Sequence, residues 1–219
     1  MPPARQVINV QWVSDFLQYI IDQNRSFIIL IVCAARESFL EQLLATVNLQ
    51  SREPYSHHQL LTKSLGTLSR ARNVRTVFCP TIEHLRAYLS TGIEGRLPLA
   101  EDKQNPQPLL AILNPLSLHL PTREFSAQGL SRTLASAVEV SSRTNMDVVL
   151  CECRDALDAS QTEHGEALWY MDVPLLNNSL RSGTEGNSWT GRTVPIKRVA
   201  QRWFPFTDSS IREDHIITS

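Results

Sequence analysis

Seven apolar residues in a row, Phe27-Ile-Ile-Leu-Ile-Val-Cys33, constrain this chain more than any other feature. A run this short, this apolar and this rich in β-branched residues predicts a strand buried on both faces. The next residues, Ala34-Ala-Arg-Glu-Ser-Phe-Leu-Glu-Gln-Leu-Leu44, place Phe39, Leu40, Leu43 and Leu44, and then Val47, at the spacing of one helix face. Strand, tight turn and helix is where many α/β proteins hold a phosphate, because the free N–H groups of the helix N-terminus point at the ligand. The turn in this chain contains no glycine.

The same alternation continues on both sides of that stretch. Residues 10–23 set Trp12, Val13, Phe16, Leu17, Ile20 and Ile21 on one helical stripe. A polar connection after Asn48 leads to a helix predicted from His58 to Ala71. Val74-Arg-Thr-Val-Phe-Cys79 reads as a second strand, ended by Pro80, and Thr81 suits the N-cap of a helix carrying Ile82, Leu85, Tyr88 and Leu89. Residues 91–108 read as a loop rich in Gly, Pro and charge. Leu109-Leu-Ala-Ile-Leu113 is the third strand, closed by Asn114-Pro115, and Arg123 to Arg143 is a long helix with Leu130, Leu134, Ala137 and Val138 on its apolar side. Asp147-Val-Val-Leu-Cys-Glu-Cys153 is the fourth strand. Leu168 to Leu176 reads as a fifth with Pro174 marking an edge, and Arg192 to Phe206 as one or two more.

Strands alternating with helices predict an α/β fold in three layers: a mostly parallel, twisted sheet with helices on both faces, and an antiparallel edge from the last strands. At 219 residues one domain is expected, over residues 1–206, with residues 207–219 as a flexible tail. The net charge of -1 provides no global field toward nucleic acid or an acidic membrane. No apolar stretch follows Met1-Pro-Pro-Ala-Arg-Gln, and the longest apolar run is far short of the roughly 20 residues that span a bilayer. A soluble, intracellular protein without membrane contact is expected.

A phosphate-binding loop needs G-x-x-x-x-G-K-S/T: glycines so that backbone N–H groups wrap the phosphates, a Lys for the terminal phosphates, a hydroxyl for magnesium. The matching position here reads Val32-Cys-Ala-Ala-Arg-Glu-Ser-Phe39, and the first glycine of the chain is Gly66. Arg36 and Ser38 echo the charge and the hydroxyl. The methyl groups of Ala34 and Ala35 crowd the place of a pyrophosphate, and Glu37 repels it. In a Walker-type ATPase the third strand ends in an acid that helps to hold the metal; here it ends in Asn114. Nucleotide hydrolysis, a dinucleotide and any other cofactor are therefore not expected.

Taken in this order, the elements resemble a degenerate RecA-like ATPase core over residues 10–206. Strand 27–33 and its helix stand at the phosphate-loop position, Leu109–Asn114 at the metal strand, and Trp189 to Phe206 resembles the terminal strands of that fold. In size and missing motifs the chain is similar to non-catalytic members of the superfamily, among them the Shu-complex subunits that assist the eukaryotic recombinase and the accessory subunits of Elongator. The resemblance implies a pseudo-ATPase that pairs with subunits of similar fold in a hetero-oligomer. It implies service in DNA recombination and repair, in the nucleus, or alternatively in transfer-RNA modification, with the cytoplasm as a second location. ATP binding is not implied, because the residues that would perform it are absent.

Other constellations leave alternatives open. Arg192, Lys197, Arg198 and Arg202, with Trp203, Phe204 and Phe206, form a basic and aromatic stretch, with no acid from 191 to 206. Such a stretch can be an edge strand whose aromatics enter the core, a partner-binding surface, or a weak DNA contact that grips phosphates and stacks bases. Cys33, Cys79, Cys151 and Cys153 all fall near strand carboxyl ends, and Cys151 and Cys153 share a face. They read as buried thiols, although Cys33, Cys79 and Cys153 with Asn114 and His119 also define the pocket that a small α/β enzyme would use at that edge. Their spacing fits no standard zinc knuckle. Glu163 and Glu166, flanking His164 and Gly165, read as solvated loop charges, with acid–base chemistry as the alternative. The N-terminal helix with Trp12 and Phe16 packs on its own sheet or docks a partner.

Overall fold

Where the sequence is most apolar, five-residue strands form. β2 (Ile28–Val32), β4 (Leu109–Leu113) and β5 (Asp147–Cys151) are buried along their whole length, whereas β3 (Val74–Phe78) is half-exposed at a sheet edge. With β1 (Arg5–Ile8) and the two-residue β8 (Phe206–Thr207) they make one sheet in the order β3-β2-β4-β5-β1-β8, parallel at every pairing. The antiparallel component is a separate two-stranded sheet of β6 (Asp172–Pro174) and β7 (Thr193–Pro195). The computed structural model describes residues 2–51, 60, 64–93, 106–158, 164–175 and 192–207.

Because strand side chains alternate, each strand supplies both faces of the sheet. Ile28, Leu30, Val32, Leu109, Ala111, Leu113 and Val149 point to one side and meet Val13, Phe16 and Ile20 of α1 (Val13–Asp22) and Phe39 of α2 (Arg36–Gln50). Ser14 Oγ donates to Gln50 Oε1 (2.6 Å) and Gln50 Nε2 donates to Asp15 Oδ1 (2.8 Å), which ties these two helices together. The short α3 (Leu65–Ala71) lies outside α1, capped by Ser64. Ile29, Ile31, Leu110, Ile112, Val148 and Leu150 point to the other side. There they meet α4 (Ile82–Ala87), which runs on into a π-helical turn (Tyr88–Gly92), α6 (Ala127–Thr144) and α7 (Ile196–Ala200). Three layers result, as the alternation of strands and helices predicts.

Local signals set the ends of the helices. Thr81 and Ser126 accept from the N–H groups of His84 and Gly129, and Asn145 closes α6 in the left-handed region (φ 52°). Gly129 is required by contact: a Cβ there would sit 2.1 Å from the Glu124 carbonyl oxygen, so the chain entering α6 crosses that helix too closely for any side chain.

Four expectations need correction. β1 was not expected, and its presence turns the helix of residues 10–23 from an N-terminal appendage into a crossover between two strands. In α2, Phe39 and Val47 face the sheet, but Leu40 and Leu44 do not. Each lies about 100° around the helix from its inward neighbour, and the apolar residues therefore encircle the helix. The expected fifth strand is a 3-10 helix (Gly165–Tyr170) followed by β6. Residues 192–206 hold a short strand, a helix and the start of β8, because Ile196, Val199 and Ala200 bury one helical face after Pro195. Of the predicted helix from His58, the part before Ser64 lies outside the described residues except Leu60, as do loop residues 94–105 and the tail 208–219. Among the described residues no helix is long and apolar enough to cross a membrane.

Candidate functional site

From β2 the chain goes outward to β3 and then returns to β4 on the other side of β2. Such a reversal opens a crevice beyond the strand carboxyl ends, the customary ligand position in an open α/β sheet. A cleft of about 420 Å³ lies there, lined by Cys33, Ala34, Thr81, Asn114, Cys153 and His164 among others.

Asn114 joins two strands at the floor of this cleft. Its N–H donates to the Cys151 carbonyl (2.8 Å), and its side-chain Oδ1 accepts from the Cys153 N–H (2.7 Å). It does so from the left-handed region, φ 58°, which Asn tolerates better than most residues. Asn114 thus has a structural role of its own, as a bridge between the ends of β4 and β5. Pro115 then opens α5 (Pro115–His119).

Beneath α5 lies Glu152, a buried carboxyl that in sequence is one residue of an otherwise apolar strand. It accepts from the Leu116 N–H, from the Ser117 N–H (3.4 Å) and from Ser117 Oγ (2.8 Å), with no cation among its described partners. Burial outweighs those three hydrogen bonds and raises its pKa to about 8. The only available signal was an acid between two cysteines at a strand end.

Of the residues proposed to share an enzymatic pocket, the cleft gathers Cys33, Asn114 and Cys153. Cys79 lies outside its lining, and His119 is withdrawn into the core. The His119 ring spans two acceptors or donors, the Glu124 carbonyl (3.2 Å from Nδ1) and Thr133 Oγ1 (3.0 Å from Nε2), and burial lowers its pKa to about 4. It is a neutral core histidine. Burial also pushes Cys33 well above the usual thiol value and Cys79 to about 11. Cys153 is raised too, chiefly by its contact with Cys151, whose Sγ lies 3.7 Å away. A nucleophilic cysteine needs the opposite shift. Among the described residues no three His, Cys, Asp or Glu side chains converge in a group able to hold a metal.

At the phosphate-loop position the connection from β2 to α2 is only Cys33, Ala34 and Ala35. Three residues cannot wrap a phosphate chain. Ala34 lines the cleft, while Arg36, Glu37 and Ser38 are exposed on the first turn of α2 and do not line it. Of the pair around His164, Glu166 accepts from Asn9 Nδ2 (3.0 Å), and Glu163 lies outside the described residues.

The basic and aromatic stretch is divided by the fold. Phe204 is core, Trp203 is half-buried against it, and Phe206 stacks edge-on against Trp169 at 5.1 Å. Lys197 lies over the Tyr170 and Phe206 rings (4.8 and 5.1 Å), and Arg192 is exposed at the start of β7. Arg198, Arg202 and Trp203 come together elsewhere, with Arg132 of α6, along an open groove. The helix side carrying Arg132 is visible in sequence as the small residues Ala127, Ser131 and Ala135, which line that groove.

A further surface is apolar. Leu40 and Leu44 on α2 are 47% and 62% exposed, and Leu65 and Leu68 on α3 are 88% and 50% exposed. Large aliphatic side chains are this accessible on two helices of one side of the sheet.

Fold and cleft together define a three-layer α/β protein with a glycine-free turn at its switch point. The chain belongs to the SPAC22G7.03-like family, whose model matches residues 6–216. No curated protein matches it.

Proposed function

We propose that this protein is a non-catalytic α/β subunit that works by associating with other proteins, and that its relation to RecA-like ATPases is that of a pseudo-ATPase. The observation that carries the reading is the exposure of large leucines on two helices, Leu40 and Leu44 on α2 and Leu65 and Leu68 on α3, with Leu44 and Leu65 each more than half exposed. Exposed apolar patches on otherwise well-packed domains mark association sites. The three-residue turn between β2 and α2 supports the loss of nucleotide chemistry. By the resemblance, the complex serves DNA recombination and repair in the nucleus and the partners are subunits of similar fold. An Elongator-like role in transfer-RNA modification is the alternative pathway.

The decisive experiment compares the native protein with the double variant Leu44→Glu, Leu65→Glu, both affinity-purified from the source organism. Because the two residues are exposed, folding stability should change by less than about 0.5 kcal/mol. The native protein should recover an α/β partner subunit that the variant loses. Recombination factors among the co-purifying proteins support the first pathway, and the tRNA-modifying machinery supports the second. Retention of the same partner by the variant refutes the leucine surface, and tight ATP binding by calorimetry refutes the pseudo-ATPase reading.

A second reading has its own observation. The cleft of about 420 Å³ at the switch point is where a small α/β enzyme would bind substrate. Turnover abolished by Cys33→Ser and Cys153→Ser, with the fold intact, would favour it.

A further inference from the structure

We infer that the groove between α6 and α7 docks an acidic segment of a partner protein, one that places a bulky apolar side chain between carboxylates. The groove has a volume of about 600 Å³, and it lies on the layer opposite the leucine surface. It is thus a second interface, distinct from the one that carries the proposed function. Leu175, Val194, Val199 and Trp203 make an apolar floor, and the small residues of α6 leave room above it. Three guanidinium groups surround that floor: Arg132 on α6, Arg198 on α7 and Arg202 in the turn that follows.

The charge is poorly compensated. Among the described residues neither Arg198 nor Arg202 has a carboxylate at ion-pair distance. Arg132 reaches Glu124 at 3.4 Å, but that carboxylate is held closer by Arg86, at 3.0 Å, and the Arg132 side chain remains 64% exposed. Arg202 rests over the Trp203 ring at 5.8 Å, which keeps its head group beside the groove. Guanidinium forks pair with carboxylates in two-point geometry, and an apolar floor between them calls for an apolar side chain.

A single-stranded nucleic acid fits less well. Sequence-tolerant strand binding needs open aromatic faces on which bases stack. Here Phe204 is buried, Trp203 lies beneath Arg202, and Lys197 lies over Tyr170 and Phe206. Besides Trp203, the floor is aliphatic, made by Leu175, Val194 and Val199.

Fluorescence anisotropy on the full chain tests the inference. The probes are a labelled peptide of alternating Glu and Leu with one central Phe, the same peptide with Lys for Glu, and an oligo-dT strand. The acidic peptide should bind, with affinity falling as salt rises, and the Lys peptide should not. Arg198→Glu with Arg202→Glu should weaken binding at least ~10-fold, as loss of two charge-assisted contacts requires. Arg132→Glu alone should weaken it about 5-fold. All three residues are exposed, so circular dichroism and the thermal midpoint should be unchanged; the Leu44→Glu, Leu65→Glu variant should bind the peptide normally, which separates this site from the leucine surface. The inference is overturned if the acidic peptide does not bind, if both peptides bind equally, or if charge reversal leaves affinity unaltered. Oligo-dT binding that the same reversals abolish, without peptide binding, would make the groove a nucleic-acid site instead.

Discussion

β5 carries a buried acid at each end, and the two are stabilised in opposite ways. At the amino end, Asp147 accepts from the Ala4 N–H (2.7 Å) and pairs with Arg25 at 2.6 Å. Arg25 also donates to the Gln107 carbonyl, so one charged point joins the entries of β1, β2, β4 and β5. Just past the carboxyl end, Glu152 has three hydrogen-bond donors and no cation among its described partners. The amino edge is closed by an ion pair, whereas the carboxyl edge is held by an acid that burial keeps protonated. The edge where α/β proteins place chemistry is here organised around neutral groups, which suits a scaffold better than a phosphate site.

The largest expected consequence is a pH dependence. Glu152 has a folded pKa of about 8 against an ordinary value of 4.5. Between those values the folded chain keeps a proton that the unfolded chain releases, so the contribution of Glu152 to stability falls as pH rises from 4.5 to about 8 and is constant above that. One group can contribute at most about 1.4 kcal/mol per pH unit. His119 acts in the other direction: its pKa is lowered from 6.5 to about 4, so its contribution is lost as pH falls below 6.5. Urea denaturation from pH 5 to 9 should show the alkaline decline in the native protein. Glu152→Gln, which cannot ionise, should remove the decline and be the more stable protein at pH 8. An unchanged slope in that variant would show that Glu152 is charged when folded, and the contrast between the two ends of β5 would fail.

Second in size is Asp147→Ala. Its side chain is 10% exposed and that of Arg25 22% exposed, so removing the acid leaves a mostly buried cation without its partner. A loss of about 3 kcal/mol is expected, read from the urea midpoint at neutral pH. A loss below about 1 kcal/mol, the range of an exposed pair, would mean that the amino edge does not depend on this clamp.

The contrast also explains what the sequence could and could not reveal. β2, β4 and β5 are legible because burial on both faces leaves unbroken apolar runs, and Thr81 marks the start of α4 through its hydroxyl. β1 is not legible. Arg5 and Gln6 interrupt its pattern, and it becomes a strand only because β5 and β8 flank it from distant parts of the chain. The Arg25–Asp147 pair is 122 residues apart in sequence, beyond any local pattern. The glycine-free turn was readable, and so was Asn114. The strand bonds that give Asn114 its role were not, since they depend on the register between β4 and β5. Within residues 192–206 the strands are legible, as β7 and the start of β8, but the helix between them is hidden by β-branched and aromatic neighbours, although Ile196, Val199 and Ala200 stand at helical spacing.

Asn114 provides the smallest and most specific test of the carboxyl edge. If it is retained for its left-handed backbone, Gly should replace it with little loss; if for its Oδ1 bond to Cys153, Gly and Ala should cost the same. The structure shows both features, φ 58° and the 2.7 Å bond. Asn114→Gly should therefore lose only the hydrogen bond, about 1 kcal/mol, while Asn114→Ala should lose a further ~1 kcal/mol for the left-handed conformation. Asn114→Asp keeps an acceptor for the Cys153 N–H and introduces an acid of the kind a Walker-type strand carries. Calorimetry on that variant should still detect no magnesium-dependent ATP binding, because the Cys33–Ala35 turn remains too short to wrap phosphates. Binding created by this one substitution would show that the carboxyl edge lacks only a single charge, and that the Cys33–Ala35 turn can accommodate phosphates.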